Sequence, residues 1–286
     1  MNDALADADP RADPLADPLV EQAGRDARTA ADAAHVVVRE VSGLGELAAV
    51  GDLFTRIWGR PSVSTELLRA FSKTQSYVGG AFRDGALVGA CVAFHAAPRL
   101  RSLHSHIAGV TPGTGGRGVG FALKVHQRAW ALRHGVDEIA WTYDPLVARN
   151  AHFNVVKLAA RPTEYLTNFY GPMADAINGD EDTDRLLVRW DLRAPAVIRA
   201  AAPGAAWRSV PGGSDGVPPD AVVPVPPDIE RLRATDPAAA HDWRLRVRES
   251  LAPHLAAGAA VGYDRERGYL VHVPARTGAA STTGDV

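Results

Sequence analysis

Val110-Thr111-Pro112-Gly113-Thr114-Gly115-Gly116-Arg117-Gly118-Val119-Gly120 decides how this chain is read. An apolar run, Leu103 to Val110, enters the stretch, and a helical pattern from about Gly118 to His134 leaves it. Glycines crowded at a strand-to-helix turn leave backbone N–H groups bare, and the helix dipole adds positive potential at the same point. Such a turn holds an anion, and a phosphate or diphosphate is the natural one. The alternative is a turn that uses glycine only for tight packing, since a glycine pattern alone is a weak signal.

Outward from the turn, the chain reads as an ordered series. His35–Val41 is a strand, and Ser42 is placed to cap a helix carrying Leu47, Val50, Leu53 and Phe54 at helical spacing. Ser64 caps a second helix. Strands at 76–82 and 86–95 flank Arg83-Asp84-Gly85 as a hairpin, and a further strand at 101–110 leads into the glycines. The pattern predicts a strand at 138–143, a helix over 147–160 and strands at 163–170 and 185–192. That order predicts an α/β fold: a mixed sheet of about seven strands with flanking helices, plus a C-terminal helix and hairpin.

Four segments follow. Residues 1–34, with Ala-Asp-Pro three times and no aromatic residue, read as a disordered acidic leader. Residues 35–199 form the main domain, and the Pro/Gly-rich 200–227 reads as a linker. Residues 228–286 form an extension with a helix after Asp236-Pro237, an apolar stripe through Trp243, Val247, Leu251 and Leu255, and a terminal hairpin, expected to pack on the main domain. Trp243 reads as a core anchor, with Arg244 and Arg246 as solvated charges. The net charge of -2 gives no reason to expect nucleic acid or a membrane as partner. One cysteine, Cys91, excludes an internal disulfide and points to a reducing compartment. With no apolar run near the roughly 20 residues of a membrane span and no signal-peptide layout, the expectation is a cytoplasmic protein.

With Val110-x-Pro112 before Gly115-Gly116-Arg117-Gly118-Val119-Gly120, and Asn150 opening a segment that ends Lys157-Leu158-Ala159, the chain resembles the GCN5-related N-acetyltransferase superfamily. His104-Ser105-His106, Asp144-Pro145-Leu146, Asn168-Phe169-Tyr170-Gly171 and Trp190-Asp191-Leu192 look closest to a little-characterised bacterial branch of it. The resemblance implies acyl transfer from acetyl-CoA, or another acyl-CoA such as succinyl-CoA, to the amine of a small molecule or amino acid. It implies that Gly115, Gly116, Arg117, Gly118, Val119 and Gly120 hold the pyrophosphate and that Ala108 and Val110 pair with the pantetheine. Backbone N–H groups near Ala108–Val110 would stabilise the oxyanion. Gly115 stands where the family has Arg or Gln, which leaves Arg117 to supply a side-chain contact. Val155 stands where many members carry a general-acid tyrosine.

His104 and His106, two apart on a strand, share a face and can accept the amine's proton. Serotonin N-acetyltransferases look similar there. The alternative is one surface and one core histidine. Metal binding is not expected, because no third ligand is near. Asn150 and Asn154, four apart on one helix, are expected on the pantetheine amides. Asp144, with Tyr143, is expected on the substrate ammonium, against an ordinary Asp-Pro turn. Tyr165 is the candidate to replace that acid, against a packed aromatic. A non-catalytic acyl-CoA-binding module, or another acyl-CoA reaction such as decarboxylation, is carried as the rival function. The extension is left with two roles, capping the cleft or forming a homodimer contact.

Overall fold

The computed structural model describes residues 17–113, 118–171, 182–205, 207 and 217–274. Residues 18–33, expected within a disordered leader, instead form helix α1 (Pro18–Ala33). Asp17 caps it by accepting from Leu19 N–H, and Pro18 sits at its first position. Val20, Ala23, Ala27 and Ala31 recur at helical spacing and are buried. That stripe of small side chains lets another helix approach closely, so packing supplies the order that composition alone did not suggest. The first 16 residues lie outside the described set.

Strand β1 (Val37–Glu40) follows, then α2 (Leu44–Trp58) and α3 (Thr65–Lys73). Gly43, not Ser42, is the residue before α2, and no side chain caps it. Ser64 does cap α3, accepting from Leu67 N–H. β2 (Tyr77–Arg83) and β3 (Ala86–His95) form the expected hairpin, and β4 (Ser102–Val110) returns antiparallel to β3. α4 (Val119–Arg133) leaves the glycine turn and stops before Gly135, which takes φ +70°.

β5 (Glu138–Tyr143) comes next. The helix expected over 147–160 is one α-turn, α5 (Ala148–Ala151), that widens into a π-helical stretch, His152–Lys157. β6 (Arg161–Leu166), shorter than expected, and β7 (Arg185–Asp191) complete a seven-stranded sheet in the order β1-β2-β3-β4-β5-β7-β6. Only β4 and β5 run parallel; the later strands return antiparallel. The predicted mixed sheet with flanking helices is therefore what the chain forms. α1 and α4 cover one face, where Ala23, Ala27, Leu123 and Trp130 enter the core. α2 and α3 cover the other, where Leu47, Leu53, Phe54 and Leu68 pack on Val78, Ala90 and Val92.

After β7 the chain forms α6 (Pro195–Ala201) and then β8 (Ala221–Val223), α7 (Ile229–Thr235), α8 (Pro237–Ala256), β9 (Ala260–Asp264) and β10 (Gly268–His272). The stretch expected as a linker thus contributes β8, which pairs with β10 and makes the hairpin a three-stranded sheet. Arg244, expected as a solvated charge, is 1% exposed. It lies against Asp144, to which Arg233 also donates at 2.5 Å. A carboxylate buried at the end of β5 requires cations nearby, and the extension brings both.

Candidate active site

Two neighbouring strands part at the centre of the sheet. β5 pairs with β4 only at Ser102, Leu103 and His104, opposite Glu138, Ile139 and Ala140. From there β4 continues to Val110 on its bonds to β3, while Trp141, Thr142 and Tyr143 continue on their bonds to β7. The two strands part company and leave a wedge, with the β5-facing backbone groups of 105–110 free of that ladder. An extended polar chain can add to such an edge through main-chain hydrogen bonds. Ala108 and Val110, expected to make those bonds, lie on it, exposed and half-buried respectively.

β4 is bulged inside the wedge. Ile107 faces Val92 and Ser105 faces Ala93, so His106 has no residue opposite it. The bulge turns Ile107 to the core under α2. A smaller residue is required beyond it: a side chain on Gly109 would begin 2.7 Å from Ile57 Cδ1 and 2.8 Å from the Trp58 ring. This close approach of α2 to β4 was not legible, because alternation alone contains no bulge.

The structure brings His104 and His106 together. Their rings lie 6.2 Å apart, and both pack on Phe94, at 5.2 and 6.0 Å. Burial lowers the pKa of each below the ordinary imidazole value, and for His104 the neighbouring His106 and Lys124 lower it further. Both are therefore held neutral, the form that accepts a proton.

On the opposite face of β4 lies a polar cluster that sequence reasoning missed. Lys124, 4% exposed, donates to Ser105 Oγ at 3.1 Å and Gln127 Oε1 at 2.6 Å, and its ammonium sits 3.8 Å from the Trp141 ring centroid. Burial brings its pKa down to about 8. The signal in the sequence was Lys124 and Gln127 at i,i+3 among apolar residues of α4, which reads as a solvated edge until that side of the helix is known to face Ser105 and Trp141 of the sheet.

Gly118, Val119 and Gly120 open α4 at the mouth of the wedge. Gly118 takes φ +81°, a left-handed conformation that glycine adopts without strain. Gly115, Gly116 and Arg117 lie outside the described residues. A side chain on Gly120 would begin 3.8 Å from Val110 and 4.0 Å from Phe153, so β4, α4 and the π-helical stretch converge there. π-helical turns recur at functional sites. Asn150 is half-buried in α5.

Four expected contacts are corrected. Asn154 is 5% exposed, and its Oδ1 accepts from Trp141 Nε1 at 3.1 Å, so it braces β5 from within. Asp144 accepts from Leu146 N–H at 2.9 Å and is filled by the chain's own Arg233 and Arg244, which leaves no place for a substrate ammonium. Tyr143 is buried, 3.3 Å from the hydroxyl of Tyr269, and burial raises its pKa. Tyr165 donates to buried Asp184 at 2.8 Å; burial and that carboxylate raise its pKa, so it is a packed aromatic and not an acid. Among the described residues no group of three or more His, Cys, Asp or Glu is placed to hold a metal ion, and no helix is long and apolar enough to cross a membrane.

No family model and no curated protein matches the chain. Solved structures do. An N-acetyltransferase from Staphylococcus aureus Mu50 is 13% identical over 55% of this chain and 99% of its own, with a TM-score of 0.47. A ribosomal-protein-alanine N-acetyltransferase from Brucella melitensis is 17% identical over 54% and 98%, with a TM-score of 0.46. A Salmonella typhimurium structure holding its cofactor acetyl-CoA is 16% identical over 56% and 95%, with a TM-score of 0.46.

Proposed function

We propose that this protein is an acyl-CoA-dependent N-acyltransferase of the GCN5-related kind, with acetyl-CoA as donor and the amine of a small molecule or amino acid as acceptor. The observation that carries the reading is the wedge between β4 and β5. It offers a free strand edge to the amide-bearing pantetheine arm, a helix N-terminus at its mouth for the diphosphate, and two neutral imidazoles along one side. Gly118–Gly120 receive the diphosphate, and Ala108 and Val110 pair with the arm.

His104, directly or through a water, takes a proton from the substrate ammonium, and the freed amine attacks the thioester carbonyl. Backbone N–H groups near Ala108–Val110 receive the negative charge on the carbonyl oxygen; one such donor is worth about 100-fold or more in rate. Collapse breaks the carbon–sulfur bond and releases the thiolate. With Tyr165 bound to Asp184 and valine at 155, the proton held on His104 is the one available to it. An imidazolium of lowered pKa gives up that proton readily.

The absence of a tyrosine acid among the residues named for that role keeps a second reading in view, a module that binds acyl-CoA without turning it over. Thiol release, measured across acetyl-, succinyl- and malonyl-CoA against a panel of amines and amino acids, separates the readings. Amine-dependent release supports the transferase. Acetyl-CoA and carbon dioxide formed from malonyl-CoA without an amine, a reaction that frees no thiol, indicate decarboxylation. Binding without release with any pair leaves the non-catalytic module.

A further inference from the structure

The polar cluster behind β4 sits at the fork of the two strands. His104 and Ala140 form the last rung between β4 and β5, and Ser105 and Trp141 are the next residue on each strand. Lys124 of α4 engages both of them. It donates to Ser105 Oγ at 3.1 Å, and its ammonium lies 3.8 Å from the Trp141 ring centroid. Neighbours fix this arrangement. Ser105 Oγ donates to Gln127 Oε1 at 3.2 Å and lies 3.7 Å from Cys91 Sγ. Trp141 meets Trp190 edge-on at 5.8 Å, and its Nε1 donates to Asn154.

The charge in this cluster has no counter-ion. A buried ammonium is costly unless an anion pairs with it. Both acceptors of Lys124 are neutral oxygens, and among the described residues no carboxylate forms an ion pair with it. From β3 the titratable group that faces it is the Cys91 thiol, whose pKa burial raises; from β4 it is His104. β5 and β7 offer only the indole rings of Trp141 and Trp190. On its own side of the sheet His104 meets Phe94 of β3 and His106 of its own strand. An apolar side chain of similar length would fill the same space at lower cost, so the feature that needs a reason is the charge.

We propose that Lys124 is a positioning residue for the transfer: bound to Ser105 and Trp141 from behind the sheet, it presents an uncompensated positive charge to His104 at the last rung of the β4–β5 ladder. The inference rests on the reading of His104 as the base of an acyl transfer. Lys124 touches no substrate and acts through His104. With a pKa of about 8, it is charged throughout the range in which His104 titrates, and two cations at close quarters disfavour each other. His104 therefore loses its proton at a lower pH than burial alone would set, whereas burial accounts for the lowering at His106. The lysine thus separates two imidazoles that share one aromatic neighbour, Phe94.

NMR titration of the imidazoles in the full chain, assigned with His104→Gln and His106→Gln, tests this on wild type, Lys124→Met, Lys124→Gln and Lys124→Arg, with far-UV circular dichroism as the folding control. In the two neutral variants the His104 midpoint should rise by about half a pH unit or more, with His106 moving less. Lys124→Arg keeps the charge and should return the midpoint toward wild type. The acidic limb of kcat/KM for thiol release should move with it, a loss of about threefold at a fixed pH on that limb, while the plateau changes less. A merely structural lysine predicts instead that limb and plateau fall together with the midpoint unmoved. An unchanged His104 midpoint in a folded neutral variant overturns the proposal. An equal rise at both histidines, the mark of loosened packing, overturns it too. If the midpoint rises as expected but wild type binds no acyl-CoA and releases no thiol, the hold of Lys124 on His104 stands and the acyl-transfer reading falls.

Discussion

The two histidines and the buried lysine divide the work of β4 between its faces. Burial lowers the pKa of His104 and His106, so each gives up its proton at a lower pH than an ordinary imidazole. Turnover should rise with pH through a value below the ordinary 6.5 and then level off. Replacing the proposed base, His104→Gln, should lower kcat/KM by about 100- to 10,000-fold and remove that acidic limb. A limb that survives in both His104→Gln and His106→Gln would place the base elsewhere. Lys124 behaves differently. Its folded pKa of about 8 lies below the unfolded value, so the unfolded chain binds the extra proton between about pH 8 and 10.4. Stability from this group is therefore lowest below pH 8 and recovers as pH rises through that window. Lys124→Met should flatten that recovery in urea titrations by up to ~3 kcal/mol and be near neutral in stability at pH 10. An unchanged pH slope would show that Lys124 keeps its proton in the fold.

At the scale of elements, α1 is the piece that composition concealed. Its Asp26 lies 3.8 Å from Arg128 of α4, which is fully buried and donates to the Leu192 carbonyl at 2.9 and 3.1 Å. Burial lowers the Arg128 pKa to about 10 and raises that of Asp26, so each charge is costly without the other. Arg128→Ala should cost about 3–5 kcal/mol in denaturant unfolding, because it strands Asp26. The pair Asp26→Leu with Arg128→Met should recover most of that loss, short of the hydrogen bonds to Leu192. Equal losses in the single and double variants would mean that the carbonyl, not the carboxylate, is what Arg128 serves. The same helix explains what was legible. Strands and the hairpin follow from local alternation and turn chemistry, and the glycine turn and the His-x-His spacing are local too. The corrected roles of Asp144, Tyr143 and Tyr165 depend on partners farther along the chain: Arg233, Tyr269 and Asp184. No window of neighbouring residues contains that information.

For the whole molecule the question is whether the extension is a passenger or part of the fold. Asp184, fully buried at the start of β7, accepts from Tyr165 Oη, Asn168 N–H and Arg248 of α8 at 2.8–3.0 Å. Although burial works against its charge, bonds from Arg248, Asn168 and Tyr165 hold its pKa below the ordinary carboxylate value. Tyr269 donates to the Pro145 carbonyl at 2.8 Å, and Arg233 and Arg244 hold Asp144. These anchors sit at separate points and include groups that could not stay buried if the extension left. The extension and the seven-stranded sheet should therefore unfold together, as one calorimetric transition with matching calorimetric and van't Hoff enthalpies. Asp184→Asn keeps the shape but removes the charge, and should cost about 2 kcal/mol or more at pH 7. A carboxylate of lowered folded pKa stabilises fully above its unfolded value near 3.9 and loses that contribution as pH falls through the folded value. The gap between wild type and Asp184→Asn should accordingly be widest at neutral pH and narrow below about pH 4, with the whole transition moving as one. A variant in which α8 and its sheet melt first, leaving the seven-stranded sheet intact, would make the extension an autonomous unit.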